Sequence, residues 1–194
     1  LSFVLNEEQK QYFLRRGEVD LAYNEKGIGR FRVNIFRQRG TISCVMRRIK
    51  ARILTFDQLC LPPAVVKFAE LHRGLVLVTG ATGSGKSTTL AAMIDQINST
   101  RTCDIITIED PIEFVHTHKR AIINQREVTI DTHDFTSALR SVMRQDPDVI
   151  LIGEMRDLET FQAAMSAAET GHLVFSTLHT TNVMQTIDRI VDLF

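Results

Sequence analysis

The stretch Gly80-Ala81-Thr82-Gly83-Ser84-Gly85-Lys86-Ser87-Thr88 places a glycine, four further residues and then Gly-Lys-Ser directly after the apolar run Leu75-Val76-Leu77-Val78-Thr79. Residues 86–98 follow with helical periodicity. A strand, such a turn and then a helix form the setting in which a glycine-rich loop wraps a polyphosphate. The glycines let backbone N–H groups converge on anionic oxygens, and the helix N-terminus adds partial positive charge. In that setting Lys86 reaches the outer phosphates and the Ser87 hydroxyl ligates Mg²⁺. The whole stretch from Gly80 to Thr88 is therefore expected to form the phosphate-binding cradle.

From Leu75 onward, candidate strands alternate with candidate helices, which implies a mainly parallel sheet covered on both faces. Leu90, Ile94 and Ile97 make an apolar stripe at helical spacing after the loop, and residues 105–109 read as the next buried strand. A helix is expected over 134–145, burying Phe135, Leu139 and Val142, then a strand over 148–153. Phe161, Ala164, Met165 and Ala168 mark a helix ended by Gly171, and residues 173–177 read as a further strand. Val183, Ile187, Ile190, Val191 and Phe194 begin one more helix, and all these stripes are expected to be core.

The first fifty residues have a different rhythm. Asn6 is placed to cap a short helix, with Gln9 at the return position of a capping box and Gly17 suited to end it. Val19, Leu21 and Tyr23 then alternate with polar residues, as do Phe31, Val33 and Ile35 after a turn at Gly27 and Gly29. A second turn near Gly40 leads to a third strand over 41–49. A helix plus an antiparallel meander is expected here. Arg30, Arg32 and Asn34 share the polar face of the second strand, which suits a solvated surface as well as a functional one. Arg47 and Arg48 are weaker candidates, and residues 50–63 read as a linker into a helix ending near Gly74.

A phosphate loop needs an acid near its metal, usually at the end of a neighbouring buried strand. Val149-Ile150-Leu151-Ile152-Gly153-Glu154 carries Glu154 out at such an end, where it can hold a water on Mg²⁺ or polarise the attacking water. A second acidic cluster, Glu109-Asp110-Pro111-Ile112-Glu113, also follows a buried strand. Either Glu113 or Glu154 can place the hydrolytic water. His179 falls at the ligand-facing end of the last strand, where an imidazole can sense a terminal phosphate, whereas His172 at the other end suits a packed structural role equally. Their spacing does not match a zinc pair.

With 23 basic and 23 acidic residues the formal charge is zero, which argues against broad nucleic-acid binding. No apolar run approaches the ~20 residues of a membrane helix, and no signal peptide is evident, so a soluble chain is expected. The sequence starts at Leu1 and stops at Phe194 inside a helical pattern, so both ends read as cut. Cys44, Cys60 and Cys103 lack paired spacing and read as free thiols of a reducing compartment.

Together these pieces resemble the bacterial secretion and pilus ATPases of the type II and type IV systems. The most specific stretch runs from Leu139-Arg140 through Arg144-Gln145-Asp146-Pro147-Asp148 to Gly153-Glu154-Met155-Arg156-Asp157, followed by Thr170-Gly171-His172 and Ser176-Thr177-Leu178-His179-Thr180-Thr181. Glu109 to Glu113 is similar to the family's aspartate box, and Gly29-Arg30-Phe31-Arg32-Val33-Asn34 to a strand of its amino-terminal domain. Glu113-Phe114-Val115-His116 and Asn124-Gln125-Arg126-Glu127-Val128 resemble the pilus retraction motors of twitching motility in particular. Ala81 departs from the proline common in those motors, a change the backbone geometry should tolerate.

The resemblance implies an α/β fold: a RecA-like phosphate-loop core with a mainly parallel sheet, preceded by a partial PAS-like α+β domain. Its domains would be residues 1–50, a linker at 51–63 and an ATPase domain at 64–194, with the family's helical region following Phe194. It implies ATP and Mg²⁺ as ligands, a homo-hexameric ring, and an inner-membrane pilus platform protein as partner, with a paralogous motor ATPase as a further one. It also implies a cytoplasmic location at the inner membrane, with peripheral association only. Extension, type II secretion and an accessory nucleotide-gated subunit are the alternatives. Arg30 and Arg32 would act in trans as cations on the phosphate in flight.

Overall fold

The computed structural model describes residues 5–49 and 52–194. The ends of the expected first domain, residues 1–4 and 50, and the first linker residue, Ala51, lie outside the described residues. The chain divides into two units, Leu1–Ala51 and Arg52–Phe194.

In the first unit, Asn6 and Gln9 form the reciprocal capping box at the start of α1 (Glu7–Arg16), with the Gln9 N–H donating to the Asn6 side chain at 2.8 Å. Gly17 ends the helix in the left-handed region at φ 82°, a conformation open to glycine at little cost. Strands β1 (Glu18–Glu25), β2 (Gly29–Gln38) and β3 (Thr41–Arg48) follow as an antiparallel meander. Their register sets Leu21 opposite Val33 and Val19 opposite Ile35, so period-two alternation delivers one apolar face to Phe13 of α1. The Arg37 guanidinium lies 5.6 Å from the Phe13 ring centroid. Strand β3 pairs with β2 at the end of this sheet and exposes Ile42, Val45 and Met46.

In the second unit, part of the stretch expected as a linker packs into the core: Phe56 is buried there, with Leu59 and Leu61 against the same cluster. Helix α2 (Pro63–Glu70) stops at Leu71, short of the expected Gly74. Then come β4 (Gly74–Thr79), α3 (Lys86–Thr100), β5 (Asp104–Glu109) and β6 (Ile122–Glu127). Helix α4 (Phe135–Val142), β7 (Val149–Ile152), α5 (Leu158–Glu169), β8 (Leu173–Leu178) and α6 (Val183–Val191) complete it. The five strands form a parallel sheet in the order β4-β8-β7-β5-β6. One face carries Ile105, Val149, Leu151 and Phe175 against α3; the other carries Ile106, Ile150, Ile152 and Val174 against α4 and α5. The doubly covered α/β core read from the sequence is therefore present.

Three further details differ from the sequence expectation. Helix α4 ends at Val142 rather than near Gln145, because Arg144 and Gln145 make tight backbone bonds to Ser141 and Val142 and Asp146 turns to φ 53° before Pro147. Strand β6 pairs with β5 although its residues are mostly polar, as an edge position permits. Most of the stripe on α6 is not core: Val183 is 72% and Ile187 50% exposed, with Val191 and Phe194 likewise exposed, although Ile190 and Leu193 pack against the sheet cluster and the Phe194 ring meets Phe161 edge-on at 6.0 Å. Helical periodicity marks an amphipathic helix but does not say what covers its apolar side.

Candidate nucleotide site

Parallel strands bring their C-terminal ends to one edge, and the register places Thr79 of β4 beside Leu178 of β8, with β7 and then β5 beyond. The loops leaving these four strands carry the phosphate loop, His179, Glu154 and Glu113 respectively. This is the edge at which open α/β sheets bind ligands.

The phosphate loop links β4 to α3. Gly80 sits at φ 148°, a conformation that suits glycine, and a Cβ there would meet the Ser84 hydroxyl at 2.6 Å, so a side chain at this position would displace that of Ser84. Gly85 caps α3 in the left-handed region at φ 97°. Lys86 begins the helix and is buried, its ammonium donating to the carbonyls of Gly80 at 2.8 Å and Ala81 at 3.0 Å. The lysine thus lies folded across the loop, at the position where its charge meets an anion seated in the cradle. Ser87, in the first turn of α3, is half-buried.

Glu154 is held from both sides. The Thr177 hydroxyl donates to Gly153 O at 2.7 Å and Thr177 O accepts from the Met155 N–H at 3.4 Å, so β8 clasps the backbone around the acid. Gly153 is fixed against β5: its N–H donates to Ile108 O at 2.8 Å, and a Cβ would stand 3.3 Å from Glu109 Cα. The largely buried Glu154 carboxylate pairs with Arg156, and its other oxygen lies 3.6 Å from His179 Nε2, an ion pair when the imidazole is protonated. The hydrogen bond that Arg156 donates to Glu154 raises the arginine's pKa. The sheet therefore brings Glu154 and His179 together, as their strand-end positions predict.

Glu109 and Glu113 part company. Glu109 is turned inward, accepting from the Thr107 hydroxyl at 2.6 Å and from Gln125 Nε2 at 3.1 Å, and burial pushes its pKa up. Glu113 stands exposed between the buried Ile112 and Phe114. Among the described residues no hydrogen bond joins Glu113 to Glu154, whose partners are Arg156 and His179. His172 is a structural histidine here, its Nδ1 2.9 Å from Ala167 O and its N–H bonded to the same carbonyl at the end of α5.

Arg30 and Arg32 lie on β2 of the first unit, where Arg32 is exposed, and Asn34 donates to Asp20 at 3.2 Å. Arg48 donates to Ile28 O at 2.9 Å and so braces the β1–β2 turn. All three cysteines are free thiols. Residue-level reading gave no role to Thr177, Thr107 or Gln125. Two threonines inside otherwise apolar strands were the available signal, since a buried hydroxyl needs a partner.

The oxygen donors suit Mg²⁺. A serine hydroxyl and a carboxylate are hard ligands, and among the described residues no cluster of three His, Cys, Asp or Glu side chains forms a protein-only cage. Mg²⁺ is commonly bound by one or two protein oxygens together with substrate phosphates and water. Ser87 and Glu154 would hold it, supplying charge neutralisation at the phosphates when bound.

A profile of the family described as "Type II/IV secretion system protein" matches residues 16–194. The type IV pilus retraction ATPase PilT of Pseudomonas aeruginosa is 53% identical over 191 residues, covering 98% of this chain and 56% of that protein. The "Twitching motility protein" of Neisseria gonorrhoeae is also 53% identical, over 98% of this chain and 51% of its own length. A crystal structure described as the pilus retraction motor PilT with bound ADP superposes with a TM-score of 0.97 at 54% identity, over 100% of this chain and 56% of that one. The chain thus spans about half the length of the relatives it matches.

Proposed function

The chain belongs to the type II/IV secretion system protein family, and from that premise we propose that it is the nucleotide-hydrolysing part of an ATPase that drives pilus retraction. The observation that carries this is the Lys86 loop set beside the Glu154–His179 pair on adjoining strand ends. Similarity to retraction motors extends over 98% of the chain, whereas a type II secretion protein E of Xanthomonas campestris is 45% identical over 78% of it. That difference favours retraction over secretion. No helix among the described residues is long and apolar enough to cross a membrane.

In this reading Gly80 to Thr88 cradle the phosphates of ATP, Lys86 leaves its two carbonyls for the outer phosphates, and Ser87 ligates Mg²⁺. Glu154 holds a water of the metal or the attacking water, and Glu113 is the other candidate for that base. His179 senses the terminal phosphate through its contact with Glu154. Arg30 and Arg32 complete a neighbouring subunit's site in a homo-hexamer, which works on an inner-membrane pilus platform protein at the cytoplasmic face. Held through Ser87, with Glu154 nearby, Mg²⁺ would supply charge neutralisation at the phosphates.

Steady-state ATP hydrolysis, measured against protein concentration with Lys86→Ala as control, tests the proposal. Turnover that rises steeply with concentration and is lost in the variant is the expected result. ATP binding without Lys86-dependent turnover in the protein at its natural length would instead identify a nucleotide-gated accessory subunit.

A further inference from the structure

The loop that carries Glu113 leaves β5 and returns to β6, and its fastening is unusually dense on one side chain. Gln125, half-buried on β6, uses its whole amide: Nε2 donates to Glu109 at 3.1 Å and to Phe114 O at 2.9 Å, while Oε1 accepts from the His116 N–H at 2.8 Å. Both flanks of Glu113 are thereby tied. The Glu127 carboxylate also accepts from the Ile112 N–H at 3.2 Å. Ile112 and Phe114 bury their side chains on either side, at 2% and 7% exposure, so alternation leaves Glu113 facing outward.

Farther along, the fully buried Asn98 of α3 donates to Thr117 O at 2.8 Å and accepts from the Lys119 N–H at 3.0 Å. The loop is therefore anchored to β6 at one end and to the helix that starts at Lys86 at the other. A purely architectural edge strand would need none of these bonds, since an exposed loop satisfies its backbone with water. Here a single glutamine binds the strand-end acid, the carbonyl after Glu113 and the amide two residues beyond it.

We propose that Gln125 is the positioning residue for the Glu113 carboxylate, fixing the loop so that this acid, and not only Glu154, addresses the water that attacks the terminal phosphate. The inference rests on the ATPase reading above and deepens it, by giving Glu113 a role in turnover that Gln125 controls through Glu109, Phe114 and His116. Gln125 touches no reacting atom. Its removal should leave nucleotide binding intact and slow the chemical step.

The test is a double-mutant cycle in the protein at its natural length, with single-turnover hydrolysis and ADP affinity both measured. Glu113→Gln should lower turnover by ~10²- to 10⁴-fold, the usual scale for a lost general base. Gln125→Met, which keeps the side-chain length but removes all three bonds, should lower kcat by about 10- to 100-fold, the scale of small misplacements, with KM and ADP affinity within about twofold. Combined with Glu113→Gln it should cost little more, because both changes disable one group. Gln125→Leu likewise removes all three bonds without adding charge, so it serves if the methionine variant does not fold, with the same expectation.

Unchanged kcat in the Gln125 variants beside a crippled Glu113→Gln would overturn the inference alone. So would a parallel loss of ADP affinity, or full additivity in the double variant, either of which marks a structural role. Wild-type turnover in Glu113→Gln with Lys86 dependence retained would remove Glu113 from the chemistry and the inference with it. Absence of Lys86-dependent turnover in the unmutated protein would instead defeat the ATPase reading.

Discussion

His116 shows how one residue in the fastened loop couples fold to pH. Its Nδ1 is buried without a hydrogen-bond partner, and burial lowers its pKa from 6.5 to about 4, with Asp95 opposing and Lys119 reinforcing the shift. Between those values the unfolded chain binds the proton and the folded one does not, so stability rises with pH across that window and is lost as pH falls through it. The loss should reach about 2 kcal/mol by pH 5 and level off below pH 4. Glu109 acts in the opposite sense, because a raised carboxyl pKa favours the folded state as acid is added. The difference between wild type and His116→Gln isolates the histidine: urea unfolding at pH 7 and pH 5 should show a steeper decline for wild type, and parallel profiles would refute the assignment. Nothing in the sequence marked His116 as buried. By contrast Gly80, Gly85 and Lys86 were legible, because the conformations and close approach they allow are tied to residue type.

At the scale of elements, the strands that became the sheet centre were readable from their apolar runs, since β7 and β8 are buried along their whole length. The polar edge strand β6 was not, because a strand covered on one side needs no such run, and it carries Gln125. The α6 stripe was legible as a helix but for the most part misread as core, for periodicity reports two faces and not the neighbour of either. A paired substitution measures that distinction. Leu139→Ala on α4 removes a side chain with no exposure and should cost ~2–5 kcal/mol in this 194-residue chain. Ile187→Ala, half exposed on α6, should cost under about 1 kcal/mol. Chemical denaturation of the two variants decides it, and an equal large loss would mean that the α6 face is covered in solution.

For the whole molecule, the telling separation is between the unit that holds the phosphate loop and the unit that holds Arg32. The cradle has one lysine and a carboxylate whose charge is already matched by Arg156. Phosphoryl transfer spreads negative charge over the departing oxygens, and a cation supplied in trans is worth ~10³- to 10⁵-fold in rate in other phosphate-loop enzymes. Arg32 is exposed on an antiparallel strand whose opposite face is core, so its removal disturbs little packing. If the proposed ring is correct, Arg32→Ala should bind ATP normally yet lose most hydrolysis. Mixing it with Glu154→Gln subunits, themselves inactive, should restore turnover at interfaces where an intact Arg32 faces an intact Glu154. Hydrolysis by mixed rings, assayed across mixing ratios, should therefore peak near equal proportions. Undiminished activity of Arg32→Ala alone would remove the arginine from the mechanism, whereas loss without recovery on mixing would confine its action to its own subunit.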